Sequence, residues 1–179
     1  MFIDLLRSRR SIRKYEDRPV EQEKVDILVE AALRAPSSRG FNPWEFVVVD
    51  DPEIIARLSR AKPHGASFLA KAPLAIAVCG HPDQSDVWVE DVSIAAIIVH
   101  LTATDLGLGS CWVQLRKRDF DDSKTAGDYA AEVLGLPPGA EVSAIIGIGY
   151  PAQHPTPHAH ETLQREKVSV NRHGNQRST

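Results

Sequence analysis

The chain has 179 residues, a formal net charge of -3 at pH 7 and 42% hydrophobic residues. A chain of this size buries about 70% of its surface on folding, which is enough for one domain with a sizeable core. Its charged fraction of 25% argues against a disordered or fibrous protein, and its near-neutral balance provides no global field for nucleic acid or anionic lipid. The first residues include Asp4 and Arg7, which do not suit a secretory signal, so we expect a cytoplasmic location.

Helix-like and strand-like segments alternate from the start of the chain to about residue 150, with no long linker between them. In chain order, the pattern predicts helix 20–35, strand 44–49, helix 52–61, strand 74–79, helix 87–106, strand 110–115, helix 123–134 and strand 142–148. After Pro151 the composition shifts to Pro, His, Gln and Arg. We therefore predict one domain over residues 1–151 and an extended tail over residues 152–179.

The predicted helix 87–106 is apolar around most of its circumference and carries no formal charge between Asp91 and Asp105. Such a helix is buried on most sides. Its uncharged stretch is shorter than the roughly 18 residues that a membrane span needs, so we expect no membrane insertion. A partner subunit related by a two-fold axis is the expected cover for one side. His100 on this helix is predicted to be a satisfied core or interface histidine rather than a base.

No metal site is predicted. Cys79 and Cys111 lie in separate apolar runs without metal-type spacing, and we expect reduced, buried thiols. His154, His158 and His160 lie among prolines, where no helix or cysteine organises them as ligands.

Five cations fall within the eight residues from Arg7 to Lys14, in a protein that is acidic overall. One interpretation is a solvated basic face. Ser11 and Ile12 favour a packed lining instead, because they add a neutral hydrogen-bonding group and an apolar side chain to the run. Arginine also offers a planar fork that binds phosphate oxygens at two points. The segment therefore suits a bound anion.

A second polar segment joins a helix to a buried strand between Ala35 and Trp44. It can be read simply as a turn. However, adjacent hydroxyls on Ser37 and Ser38, a glycine and the amide of Asn42 are the groups that the polar edge of a heteroaromatic ring requires. The third segment, residues 109–114, reads on its own as a core strand.

In this order and spacing, the segments resemble the FMN-dependent nitroreductase family from Phe2 to Tyr150. The markers are Arg9-Arg10-Ser11-Ile12-Arg13, Ala35-Pro36-Ser37-Ser38 with Asn42-Pro43-Trp44, Gly107-Leu108-Gly109-Ser110-Cys111-Trp112 and Gly147-Ile148-Gly149-Tyr150-Pro151. The resemblance implies an α+β fold with a central mixed, mostly antiparallel sheet flanked by helices. It further implies a homodimer with the long buried helix at its interface and one FMN in each of two shared sites.

The resemblance assigns FMN contacts to three groups of residues, which are Arg9, Arg10, Ser11 and Arg13, then Pro36, Ser37, Ser38 and Asn42 from the other subunit, and finally Cys111, Trp112, Val113 and Gln114. Arg9 and Ser11 would meet the phosphate, ribityl chain and pyrimidine edge, and Arg13 would lie near N1 and O2 of the ring. The third group would lie along the ring and offer a backbone N–H to N5. No catalytic side chain is expected, because the flavin carries the hydride chemistry.

The implied activity is transfer of hydride from NAD(P)H through FMN to a small nitroaromatic, quinone or similar electron-poor acceptor by a ping-pong mechanism. Loops near His64-Gly65 and Trp88 are the predicted substrate rim. Alternatives are dehalogenation or flavin destruction on the same fold, or a non-enzymatic module that binds RNA, DNA or another anion. Two features depart from the family pattern. Gly40 stands where many members have asparagine, and the late phosphate-binding cation has only His158, His160 and Arg165 as candidates.

Overall fold

The computed structural model describes residues 1–176, and this part of the chain forms five α-helices and four strands. In chain order they are α1 (Phe2–Ser8), α2 (Gln22–Leu33), β1 (Trp44–Val49), α3 (Pro52–Leu58), β2 (Leu74–Gly80), α4 (Trp88–Asp105), β3 (Gly109–Gln114), α5 (Ala126–Leu134) and β4 (Glu141–Gly149). All predicted helices and strands are present. Helix α1 was not predicted, because seven residues are too few to display a helical period.

All four predicted helices are shorter than predicted, and α2 and α5 begin two or three residues late. Helix α2 begins only after Glu21, whose backbone is extended (φ -62°, ψ 140°). Helix α5 begins at Ala126, because the Thr125 side chain caps it by accepting the N–H of Asp128. The preceding residues instead form a turn in which the carboxylate of Asp121 accepts the N–H groups of Ser123 and Lys124. Side-chain capping therefore sets the start of α5 later than the sequence predicted.

The four strands form one sheet in the order β1-β2-β4-β3, and each neighbouring pair is antiparallel. This arrangement confirms the α+β fold class. The expected mixed character is limited, within the described residues, to an isolated parallel bridge between Ser11 and Ser110. Strand β3 is therefore an edge strand, and the segment that follows α1 lies alongside its outer edge.

Helices cover both faces of the sheet. Helices α3 and α5 pack on one face, where Leu58 of α3 and Ile145 of β4 are fully buried. Helices α2 and α4 pack on the other face, where Leu28 of α2 and Ile146 of β4 are fully buried. Adjacent residues of β4 thus enter opposite cores, as the period of a strand dictates.

Helix α4 is buried against the sheet, as predicted, but one side of it is open. Ile94 and Ile97 of α4 keep 39% and 43% of their accessible surface, and Phe2 of the neighbouring α1 keeps 66%. The chain exposes 10725 Å² in total. A compact monomer of this mass exposes roughly 8,600 Å², about a fifth less. Exposed apolar side chains on α4 and α1 are of a kind that subunit contacts usually cover.

The chain after residue 151 runs over the surface with two single turns of 3-10 helix. The first residue of this segment contacts the rest of the domain, since the N–H of Ala152 donates to the carbonyl of Lys14 (2.9 Å). Residues 177–179 of the predicted tail lie outside the described residues, and a domain boundary at residue 151 stays a prediction. None of the described helices is long and apolar enough to cross a membrane.

Candidate functional site

The basic segment after α1 is attached directly to β3. The N–H of Ile12 donates to the carbonyl of Ser110 (3.0 Å), and Ser11 and Ser110 form the parallel bridge. Ile12 is buried over Gly109, where an added Cβ would come within 2.7 Å of the isoleucine side chain. The absence of a side chain at Gly109 therefore allows the segment to lie flat on the strand. Two of the three predicted groups of contact residues are thus brought together.

The outer edge of β3 offers further main-chain groups. Ser110 turns its carbonyl away from β4 to meet Ile12. Main-chain groups alternate in direction along a strand. The N–H and C=O groups of Trp112 and Gln114 therefore point to the same outer edge. No other strand of the described chain pairs there. This edge can therefore hydrogen-bond to a flat polar molecule.

The cations of the segment lie near the edge strand without acidic partners. Arg9 and Arg10 are half-buried, and no carboxylate within residues 1–176 lies within 4 Å of either guanidinium or of that of Arg13. Burial raises the pKa of the Cys111 thiol, whereas Arg13, a hydrogen bond from Ser11 and the charge of Arg9 act in the opposite direction. We name Arg9–Arg13 together with β3 the cationic half-site. Unpaired, partly buried cations favour an anionic ligand.

His100 supports this half-site from α4. Its Nδ1 lies 2.7 Å from the Ser110 hydroxyl, and its ring stacks on that of Trp112 with centroids 6.3 Å apart. Burial, together with the charge of Arg9, lowers the pKa of His100 to about 4. The imidazole is therefore neutral at pH 7, which agrees with the predicted satisfied core histidine. Its contacts with the site depend on tertiary packing and could not be predicted from the sequence.

The second polar segment forms a closed loop, residues 36–42, which we name the loop half-site. The Ser37 hydroxyl accepts the N–H of Asn42 (3.0 Å) and donates to its side-chain oxygen (2.8 Å). Arg39 and Asn42 have left-handed backbone conformations, with φ of 53° and 49°. The N–H of Ser38 donates to the carboxylate of Asp91 on α4 (2.8 Å). The loop is therefore fixed before any ligand arrives.

The two half-sites contact opposite ends of α4. Asp91 touches the loop half-site, and His100 touches the cationic half-site. At 1.5 Å per residue, nine residues separate these contacts by about 13 Å along the helix. Within one protomer, Pro36, Ser37, Ser38 and Asn42 therefore do not join the other predicted contact residues.

Two cavities flank the cationic half-site. Arg9 and Arg10 line one of about 320 Å³ together with His154. Arg13 lines another of about 500 Å³ together with Lys71. Lys71 precedes β2 in the run Lys71-Ala72-Pro73, and it was not among the predicted contact residues. The sequence showed Lys71 only as a cation directly before a buried strand, and this position was the one signal that could have indicated it.

Other predicted positions are separate from these cavities or buried. Among the candidates for the late cation, Arg165 donates to the imidazole of His160 (2.7 Å) on the surface of the tail, and His158 is exposed. The Trp88 side chain is buried against Gly80, and the loop near it stays a prediction for the substrate rim. His64 is exposed. No group of three or more candidate metal ligands occurs in the part of the chain that the structure describes.

Comparison with known proteins gives a consistent result. A sequence model of the Nitroreductase family matches residues 6–62 and 59–150. A protein of Archaeoglobus fulgidus, provisionally named NADH dehydrogenase/NAD(P)H nitroreductase, is 36% identical over 153 residues, which are 83% of this chain and 84% of that protein. A protein of Haliscomenobacter hydrossis named iodotyrosine deiodinase is 27% identical over 161 residues, covering 88% of this chain and 67% of that protein.

The fold is also that of a solved structure. An FMN-dependent nitroreductase from Clostridium difficile R20291 superposes with a TM-score of 0.93 and 46% sequence identity. The match covers 95% of this chain and 99% of the other.

Proposed function

Because the chain belongs to the nitroreductase family, we propose that it is an oxidoreductase that transfers hydride from NAD(P)H to a small electron-poor acceptor with the help of bound FMN. The proposal rests on one observation above all, the attachment of the Arg9–Arg13 segment to the open edge of β3. That contact combines cations that lack a carboxylate partner in residues 1–176 with outward-facing main-chain N–H groups.

The residues of the cationic half-site fit FMN, which is both anionic and flat. Arg9 and Arg10 are half-buried cations without a carboxylate partner in residues 1–176, which suits a phosphate. Main-chain N–H groups at Trp112 and Gln114 suit the polar edge of a ring. Bound FMN supplies the reversible two-electron chemistry that amino-acid side chains lack.

Each cation has a distinct proposed role. Arg9 and Ser11 would hold the phosphate and ribityl chain, with Arg10 beside them. Arg13 would lie near N1 and O2, where a fixed guanidinium stabilises the negative charge that arises on reduction. Lys71 lines the same cavity as Arg13, together with Glu16 and Asp17, and would add a second positive charge on that side.

We propose that the complete site forms between two copies of the chain. The half-sites are about 13 Å apart along α4 in one protomer, as estimated from helix rise. If α4 packs against its two-fold mate in antiparallel fashion, the loop half-site of one protomer approaches the cationic half-site of the other. The exposed Ile94 and Ile97 and the exposed Phe2 of α1 support this interface. Ser37, Ser38 and Asn42 would then reach the partner's flavin.

The chain needs no acid or base of its own for hydride transfer. The buried His100 has a pKa of about 4 and is therefore neutral at pH 7, and it orients Ser110 and Trp112 rather than exchanging protons with substrate. NAD(P)H and the acceptor would occupy the same open face in turn. Nitroaromatics and quinones are the proposed acceptors.

A reductive dehalogenase is the second candidate, because a relative that aligns with 88% of this chain is named iodotyrosine deiodinase. A halogenated phenol therefore belongs in the acceptor panel.

The test begins with the flavin content of the purified protein. We expect yellow protein that releases FMN on boiling, is reduced anaerobically by NADH or NADPH, and is reoxidised by a nitroaromatic or quinone. Double-reciprocal plots of the steady-state rate against NAD(P)H concentration, at several fixed acceptor concentrations, should give parallel lines. Protein that neither contains nor takes up FMN would contradict the proposal, and intersecting lines would contradict the shared ping-pong site.

A further inference from the structure

The carboxylate of Asp91 is buried at the start of α4, where the residue keeps 2% of its accessible surface. One of its oxygens accepts the N–H of Ser38 (2.8 Å), and the other accepts the hydroxyl of Ser85 (3.2 Å). Within residues 1–176, no cationic side chain lies within 4 Å of it. Burying a carboxylate without a cation is costly unless hydrogen bonds and a helix N-terminus compensate for lost hydration. This carboxylate therefore depends on the two loops that it contacts.

Those two loops are the loop half-site and the connection between β2 and α4, which contains Ser85. Asp86 of the same connection also pairs with Arg39 at the surface. The left-handed backbone at Arg39 and Asn42 costs free energy that the surrounding contacts must offset. The buried hydrogen bond from Ser38 is the contact best placed to do so, because the Arg39–Asp86 pair is exposed and screened.

We propose that Asp91 is a positioning residue for the flavin site, which fixes the loop half-site by accepting the Ser38 N–H. The inference rests on the proposed function, since it assumes that the loop contacts FMN. Asp91 itself does not touch the flavin. It keeps the hydroxyls of Ser37 and Ser38 in one arrangement, so that binding does not have to order them. A loop that is only partly in its competent conformation binds more weakly in proportion to the fraction that is competent.

The first test compares three variants by equilibrium dialysis of full-length protein against FMN. Asp91→Ala removes the acceptor and should raise the dissociation constant about tenfold, the usual effect of losing a charge-assisted hydrogen bond. Asp91→Asn keeps an oxygen toward Ser38 and should stay within about threefold of wild type, since a neutral hydrogen bond remains. Asp86→Ala is the matched control, which breaks the exposed link between the same loops and should change affinity less than about twofold.

Unchanged FMN affinity in Asp91→Ala would overturn the proposal, and so would a loss in Asp91→Asn as large as that in Asp91→Ala. If Asp91 served stability alone, both Asp91 variants would unfold at a lower temperature. Asp91→Asn would then not bind FMN more tightly than Asp91→Ala.

The second test removes the donor of the same hydrogen bond, the N–H of Ser38. It tests the proposal even if Asp91→Ala does not fold. Ser38→Ala removes the hydroxyl and keeps the N–H, whereas Ser38→Pro removes both. Ser37 has an extended backbone (φ -135°, ψ 158°), which a following proline tolerates. We expect Ser38→Pro to bind FMN about tenfold more weakly than Ser38→Ala. Equal affinities would overturn the role of the N–H. Wild-type protein that binds no FMN would instead refute the proposed function.

Discussion

The two half-sites are built in opposite ways. The cationic half-site takes its shape from main-chain contact with β3, and its arginine side chains have no carboxylate partner in the described residues. The loop half-site takes its shape from side chains, through the Ser37–Asn42 pair and the buried Asp91. The cationic half-site therefore provides positive charge that an anionic ligand can neutralise. The loop half-site provides polar groups that are already ordered.

This difference has a consequence for binding. A charged region with unsatisfied cations gains affinity from an anion, whereas a preorganised loop gains specificity because little ordering remains to be done. In one protomer the two half-sites contact α4 about 13 Å apart, as estimated from helix rise. We therefore propose that the flavin site forms between two protomers.

The largest effect is expected from the interface that joins the half-sites. Ile97→Glu places a charge on the exposed apolar face of α4, where burying it against a partner would be prohibitive. We expect monomers in light scattering and loss of FMN from both half-sites together. Ile27→Glu is the matched control, because Ile27 of α2 is similarly exposed at 38%. A dimeric, yellow Ile97→Glu protein would show that the half-sites meet in another way.

The next effect concerns charge in the cationic half-site. Arg9→Ala should raise the dissociation constant for FMN about 30-fold, because a charge-assisted contact with the phosphate is lost. Titration of the protein with FMN, followed by flavin fluorescence, measures this dissociation constant. Arg7→Ala is the control, since Arg7 is exposed and pairs with Asp4 (2.9 Å). Equal retention of FMN by the Arg9 and Arg7 variants would remove Arg9 from the site.

A smaller effect separates Arg13 from Arg9. Arg13→Ala should slow the reduction of bound flavin by NAD(P)H about tenfold and lower its midpoint potential, while FMN affinity changes less than in Arg9→Ala. Anaerobic stopped-flow absorbance measures the rate. Flavin release as the main defect, with a normal rate in the remaining holoprotein, would exchange the roles assigned to these two arginines.

The smallest effect lies outside both half-sites, at Glu21. Hydrogen bonds from Tyr150, from the main chain and from Arg18 lower the pKa of this carboxyl to about 2, from an ordinary value of 4.5. Because the folded pKa is the lower one, its contribution to stability is present above about pH 4.5 and is lost as the pH falls toward 2. Urea unfolding at pH 6 and pH 3 should show a larger decline for wild type than for Glu21→Gln. An identical decline would mean that the Tyr150 contact does not form in solution.

The sequence was informative where a pattern is local. Strands 44–49 and 74–79 were predicted from apolar runs bounded by turns, and the Arg9–Arg13 segment is visible as an excess of charge. The roles of Asp91 and His100 are not local, because each depends on which loop or strand packs against α4. The burial of Trp88, the first residue of α4, is not local either, because its ring packs against Gly80 of β2. The cytoplasmic location and the individual FMN contacts stay predictions.

We propose that one flavin site takes its two halves from two protomers, and mixed dimers provide the decisive measurement. One chain carries Arg9→Ala, and the other carries Ser37→Ala with Ser38→Ala. Differently tagged copies are refolded together and purified as mixed dimers, and their FMN content is measured at a concentration that leaves both parent dimers nearly empty. A shared site predicts one tightly bound FMN per mixed dimer, because one of the two sites then receives both intact halves. Mixed dimers that hold no more FMN than their parents would contradict it.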